Sequence, residues 1–379
     1  MPVPKQGKNL TYLRASNQGA LLKHILTQGA TAKQQLAAEL NLTPMSISYI
    51  TADLLEKGYL RELPAEVAPT PGRRANKLDL AAEKLLAVSV SVSRRSVRAS
   101  LIDISGHVHN TVRTALNGTL TTETLTDIVI QNIQTVLQDN TVLGIGVSCV
   151  GMVDMRSGTV VSITDFHNIA DWHIAEVLSN RFSLPVFVAE DMKAAALAES
   201  YYGVGKAYHD FVYVGITHGI GAAVIAGGKL LAGNRGFSGE LGHTTLYPNG
   251  EQCTCGNIGC AELYLSVPKV LKQAGLASWD DFASTTPDTP AMQRFLSDLG
   301  ILLTGVVNLF DPEAVVLGHE GALLSQKCYQ TLQQILDKRT MTRQFKTVHI
   351  IPSALAQSIT AQSGGALVFD RLFGGEFKL

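Results

Sequence analysis

The chain has 379 residues, 46% of them apolar, with 31 Lys and Arg against 32 Asp and Glu and a formal net charge of -1 at pH 7. That length exceeds one ordinary core and calls for two or three domains. No uncharged apolar run nears the roughly 18 residues a membrane span needs, and Met1 to Lys8 carries charge with no apolar stretch behind it, so neither membrane insertion nor a secretory signal is expected and the chain reads as cytoplasmic.

Charge is uneven along the chain. Residues 1–80 carry ten Lys and Arg against six Asp and Glu, while the remainder carries 21 against 26, which makes the N-terminal end the place for nucleic acid. Leu21, Leu22, Ile25 and Leu26 recur at helical spacing before Gly29, and a second helix is expected from Ala32 to Leu40. Thr43 suits an N-cap and Pro44 a first helical position, so a third helix is expected from Pro44 to Lys57. Ile47, Ile50 and Leu54 would face inward, leaving Thr43, Pro44, Met45, Ser46, Ser48 and Tyr49 on a short polar outer face. Such a face is how a helix-turn-helix reads base edges. Tyr59–Leu63 and Lys77–Leu80 read as short strands flanking a Pro-rich loop with Arg73 and Arg74 at its tip, the wing of a winged helix-turn-helix. The other reading is a three-helix interaction module whose arginine pair is a solvated turn.

From Leu85 to Asp103 apolar and small polar residues alternate as two strands around a turn at Arg94-Arg95, and a third strand is expected near His107. An amphipathic helix with Leu125, Ile128, Ile133, Val136 and Leu137 on one face precedes a buried strand, Leu143 to Cys149. Phe211 to Gly215 is another buried strand, followed by the glycine-rich turn Gly215-Ile-Thr-His-Gly219-Ile-Gly221. Helical patterns resume at 267–275, 292–309 and 323–336, around a strand at 314–317, and the chain closes with a strand at 347–351 and a helix at 364–373.

The strongest signal lies between Gly239 and Glu262. Cys253, Cys255 and Cys260 fall within eight residues, and His243 lies ten positions upstream of the first. One histidine and three cysteines supply the donors of a closed, structural zinc site. Glu240 and Glu262 bracket the cluster. Cys149 and Cys328 read as buried, inert thiols.

These segments resemble the ROK family of repressors and sugar kinases, which shares the actin-like ATPase fold. The resemblance is carried by Leu143 to Gly151 with Asp154, by Asn168 and Trp172, by Leu184 to Asp191 with Ala194 to Glu199, by Glu240-Leu241-Gly242-His243 and the cysteines, and by Asn308 to Glu313. It implies a winged helix-turn-helix and linker over 1–80, a first α/β lobe over 81–195, and a second lobe with the zinc site and C-terminal helices over 196–379. The N-terminal module is similar to that of the family's repressors responding to N-acetylglucosamine or glucose. By resemblance Asp191 stands where the kinases keep a catalytic base, and Glu190, Asp191, Glu240, His243 and Glu262 would bind a sugar. The other reading of Asp191 is a cap on a helix starting near Lys193.

The kinases' phosphate loop corresponds to Ser91, Ser93, Arg94 and Arg95, which lack its acid and glycines, and the kinases' adenine-binding glycine run is replaced after Gly318 by His319-Glu320. The expectation is therefore no kinase activity. The chain reads as a DNA-binding repressor of carbohydrate genes, a homodimer or dimer of dimers on a twofold operator, released by a sugar or phosphosugar. The rivals are a sugar kinase, and a repressor induced by a sugar-transport protein.

Overall fold

The structure is a computed structural model that describes residues 10–64, 76–163, 166–377 and 379. The expected wing tip, Arg73 and Arg74, lies outside the described residues. Helices Leu10–Gln28, Lys33–Glu39 and Pro44–Glu56 open the chain, with a three-stranded sheet ordered Thr31–Ala32, Lys77–Leu80, Leu60–Leu63. The Thr43 hydroxyl accepts from Ser46 N at 3.2 Å, so the third helix starts where its cap and Pro44 place it. Ile47, Ile50 and Leu54 are buried. Gly19 of the first helix meets the end of the closing helix Ile359–Phe373: a Cβ there would lie 2.3 Å from Leu372 O.

Two compact units make up the chain. One comprises Met1–Val147, Ile174–Val188 and Gly364–Leu379, the other Ser148–His173 and Ala189–Ser363. Both are discontinuous, unlike the continuous spans 81–195 and 196–379 drawn from sequence, because the chain passes between units more than once. In the first unit the sheet runs Val186–Glu190, Ile145–Cys149, Leu86–Val92, Ser96–Asp103, Val108–Ala115. The helix Thr122–Leu137 covers it with Leu125, Val129, Asn132, Ile133 and Val136 buried. Ile128 and Leu137, expected inward, are only half-buried, because the helix turns Val129 and Asn132 to the sheet. Asn132 is satisfied there, donating to Val97 O at 3.2 Å and accepting from the Thr114 hydroxyl at 2.8 Å.

The second unit is built on the sheet Lys229–Leu230, Ile220–Ala226, Phe211–Ile216, Ala314–His319, His349–Pro352, in which the last three strands run parallel. Val212, Val214, Val315 and Leu317 pack against Phe295, Leu299 and Leu303 of the helix Pro290–Phe310 and Leu332 of the helix Gln326–Arg339. Near-continuous apolar runs in these strands follow from burial on both faces. A small sheet of Met152–Asp154, Thr159–Ser162 and Ala170–Trp172 belongs to the same unit. Arg235 Nε and Nη2 donate to Asp154 Oδ2 at 3.0 and 2.7 Å, and Met155 N donates to Arg235 O at 3.1 Å.

Two tests follow from this packing. Gly146 lies against Gly364, and a Cβ on it would come 1.8 Å from Gly364 O, so Gly146→Ala is expected to destabilise the protein by about 3 kcal/mol in urea denaturation. Burial alone would raise the Asp154 carboxyl, but Arg235 and the Arg156 amide outweigh it and hold it below the ordinary 3.8. That stabilisation is present above the unfolded carboxylate's pKa and lost as pH falls through the lower folded one. Arg235→Ala should therefore move acid unfolding to higher pH, as read by near-ultraviolet circular dichroism.

Candidate functional site

The strand Ile220–Ala226 organises the candidate site. It pairs antiparallel with Phe211–Ile216, placing Gly215 opposite Gly221 and Ile216 opposite Ile220. The turn between closes on itself, since Thr217 N donates to Gly219 O at 2.8 Å and Gly219 N to the Thr217 hydroxyl at 3.3 Å. A Cβ at Gly219 would lie 2.4 Å from Glu262 Oε2, and one at Gly221 would lie 3.5 Å from Glu190 Oε1. The Glu262 carboxylate thus reaches the turn, and the Glu190 carboxylate the start of the strand that follows it.

Glu240 is brought to the same place by backbone contact. Gly239, at φ +93°, approaches Ala222 so closely that a Cβ would lie 2.0 Å from its carbonyl oxygen, and at Gly242 one would lie 2.2 Å from Ile220 O. Ala222 N donates to Gly239 O at 3.0 Å. Only glycine permits either approach. The exposed Glu240 sits between these two anchors, alongside Gly221, and its charge is felt at Glu190.

Asp191 follows Glu190 and is the first residue of the helix Asp191–Tyr202, which therefore starts two residues before the expected Lys193. Its Oδ1 accepts from Met192 N at 2.9 Å. Lys193, 1% exposed, donates to Glu190 Oε2, a pairing that a reading of Glu190 as a ligand residue does not anticipate. Burial raises the Glu190 carboxyl, the Lys193 charge opposes that rise, and the Asp191 and Glu240 charges reinforce it. Cys149 is buried, and burial followed by the Asp191 charge pushes its thiol far up, leaving it inert.

His319 does more than replace a glycine. It ends the strand Ala314–His319 opposite Ile216 with φ at +52°, a conformation that costs a non-glycine residue of order 1–3 kcal/mol. Its ring crowds Gly215, where a Cβ would lie 3.0 Å from His319 Cδ2 and 2.1 Å from Met192 Sδ. The ring nitrogen Nε2 is buried without a hydrogen-bond partner, and burial lowers the imidazole pKa to about 4, so it is neutral. The signal that would have singled it out is backbone conformation, which composition does not carry.

His243, Cys253, Cys255 and Cys260 come together as candidate metal ligands, with all four donor atoms within 4.8 Å of one another. Cys253 Sγ lies 3.8 Å from His243 Nδ1 and Cys255 Sγ 3.6 Å from Cys260 Sγ. Four ligands at 2.0–2.3 Å from a tetrahedral ion would be roughly 3.3–3.8 Å apart, so the donor set fits one ion. Leu246 N donates to Gly259 O at 2.7 Å and Ala261 N to Thr244 O at 2.9 Å, tying the two halves of the segment. Glu240 precedes one ligand by three residues and Glu262 follows another by two.

At the N-terminal module Thr43, Pro44, Met45, Ser48 and Tyr49 are exposed and Ser46 half-buried. Arg14, from the first helix, lies 4.8 Å over the Tyr49 ring, donates to its hydroxyl at 3.0 Å and pairs with Asp53 at 3.0 Å. Gln18 and Lys57 donate to the same Asp53 at 2.7 and 3.1 Å. Partial burial works against the Asp53 carboxylate, but Lys57 and Arg14 outweigh it and hold its pKa below the ordinary value.

Known proteins share this fold. A solved ROK family transcriptional regulator, described as a homolog of the E. coli MLC protein, matches with a TM-score of 0.82 at 25% identity, covering 96% of this chain and 98% of that one. The ROK family glucokinase of Streptomyces griseus, solved with glucose and AMPPNP, matches with a TM-score of 0.62 at 22% identity over 74% of this chain and 98% of its own, a likeness of fold. The xylose repressor of Bacillus subtilis strain 168 is 27% identical over 377 residues, 95% of this chain and 96% of its own. The DNA-binding transcriptional dual regulator NagC of Escherichia coli K12 is 29% identical over 337 residues, 82% of this chain and 82% of its own. With the family model matching residues 87–371, the chain belongs to the ROK family.

Proposed function

We propose that the protein is a sugar-responsive, DNA-binding transcriptional regulator, a repressor of carbohydrate uptake or catabolism genes that leaves its operator when a sugar or its phosphate ester binds the acid-lined site. The observation that carries this reading is coverage. The xylose repressor aligns over 95% of the chain, whereas the glucokinase aligns over 74%. The longer alignment leaves little of the chain uncovered, and the chain's own N-terminal module presents an exposed polar helix face.

In this reading residues 1–80 are a winged helix-turn-helix. Thr43, Pro44, Met45, Ser46, Ser48 and Tyr49 enter the major groove, and Arg73 and Arg74 contact the backbone or minor groove. Asp191, Glu240 and Glu262 accept hydrogen bonds from sugar hydroxyls, with His243 and Glu190 at the rim of the same site. A zinc ion held by His243, Cys253, Cys255 and Cys260 would act structurally, because a four-ligand set leaves no open position for water. The protein acts as a homodimer or dimer of dimers, since a twofold operator is matched by a twofold protein. It transfers no phosphoryl group. Supporting that, Ser91, Ser93, Arg94 and Arg95 form the hairpin where a phosphate loop would need an acid and glycines, and Met192 and His319 crowd Gly215.

Operator binding by gel shift, with release by a sugar, tests the reading directly. Ser48→Ala and Tyr49→Ala should each weaken operator binding by about tenfold, the scale of one lost base contact, with the fold intact by circular dichroism. A chain that binds no DNA, or whose DNA affinity ignores both substitutions, sinks the assignment of this face. For the metal, elemental analysis of the purified protein should find zinc stoichiometric with the chain. Cys255→Ser should lose that zinc, melt at lower temperature and blunt the sugar response together; retained zinc with a normal response would contradict the ligand set.

A further inference from the structure

We infer that Arg14 is a positioning residue for DNA reading: it holds Tyr49 in one orientation and keeps the phenol hydroxyl as a hydrogen-bond donor toward a base edge. The inference rests on the DNA-binding reading above and names the residue of the first helix which that reading needs. Among the described residues, every hydrogen bond, ion pair and ring contact of the Arg14 side chain falls on the helix Pro44–Glu56. The guanidinium lies 4.8 Å over the Tyr49 ring, Nη1 donates to the Tyr49 hydroxyl at 3.0 Å, and Nη2 pairs with Asp53 Oδ1 at 3.0 Å. Tyr49 and Asp53 are four residues apart and so neighbours on one helix face, which lets a single planar fork engage both. Half-buried Asp53 is a fixed anchor, because Gln18 and Lys57 donate to its other oxygen at 2.7 and 3.1 Å. Tyr49 is 59% exposed, and this clamp is what limits its side-chain torsions.

The clamp also sets what the hydroxyl can do. A guanidinium carries donors only, so the Tyr49 oxygen is the acceptor in that pair. Its own proton is spent on no neighbour among the described residues. That proton is left for an acceptor outside the chain, which in the major groove is N7 of either purine, O6 of guanine or O4 of thymine. The Arg14 charge is matched by Asp53, and Arg14 serves binding through Tyr49 and not as a phosphate contact. Immobilising one such side chain on binding costs about twofold to tenfold in affinity, a cost that is avoided when the side chain is ordered beforehand.

The probes are a duplex selected by the full wild-type chain from a randomised library and a scrambled duplex of the same composition, both measured by gel shift. Arg14→Ala should lower the ratio of selected to scrambled affinity by about twofold to tenfold, and should cost nothing further in a Tyr49→Ala background. The slope of log affinity against log salt should stay as it is, whereas loss of a phosphate contact would flatten it by about one. Arg14→Lys keeps the charge without the planar fork and should not restore the ratio; if the alanine variant does not fold by circular dichroism, the lysine variant carries the test. An unchanged ratio, an Arg14→Ala cost that persists without Tyr49, a flattened salt slope, or full rescue by lysine overturns the positioning role and leaves DNA binding in place. A wild-type chain that selects no duplex overturns the DNA reading itself, and this inference with it.

Discussion

The acid site depends on a backbone-on-backbone contact. Gly239 and Gly242 lie directly on the carbonyls of Ala222 and Ile220, approaches that any side chain would block. Between them Glu240 has no choice of position. Because Glu190 reaches Gly221 of the strand Ile220–Ala226 and Glu262 reaches Gly219 in the turn before it, one hairpin sets the mutual placement of these acids. Long flexible side chains holding a ligand would spend conformational entropy on binding. Carboxylates whose parent backbone is pinned spend less.

The metal-ligand segment extends the same constraint outward. His243 is on the Glu240 side and Cys260 on the Glu262 side, so an ion shared between them would tie two acids through five residues of chain in total. Nothing in that arrangement asks the ion to touch a ligand. Its effect would be positional, and a site can in this way rely on a metal without using metal chemistry.

Much of the fold is legible in the sequence, and for physical reasons. The third helix begins at Pro44 because a Thr-Pro cap is a local signal that tertiary structure rarely overrides. The ligand cluster is legible because soft donors at such short spacing suit few purposes besides holding a metal. The three-residue strands Met152–Asp154 and Ala170–Trp172 and the helix Ile174–Phe182 are not, since elements so short show too few repeats for a period. The Glu190–Lys193 pair is hidden because two residues on opposite sides of a strand–helix junction have no fixed geometry until the junction is built. His319 is hidden because φ is not a property of composition. Val129 and Asn132 displace Ile128 and Leu137 on the inner face because a helix can roll by part of a turn without spoiling its pattern.

The meeting of Gly19 with Leu372, and of Gly375 with Ser16, joins the first described helix to the last. Residues 372–375 leave the ribosome more than three hundred residues after Gly19. The N-terminal module therefore acquires its full packing only after the closing helix has been made, and a chain cut short before that helix leaves the Gly19 face bare. Order of synthesis thus becomes a form of proofreading: the first described helix meets Asp53 early, through Arg14 and Gln18, but its Gly19 face meets a partner only once the closing helix has been made.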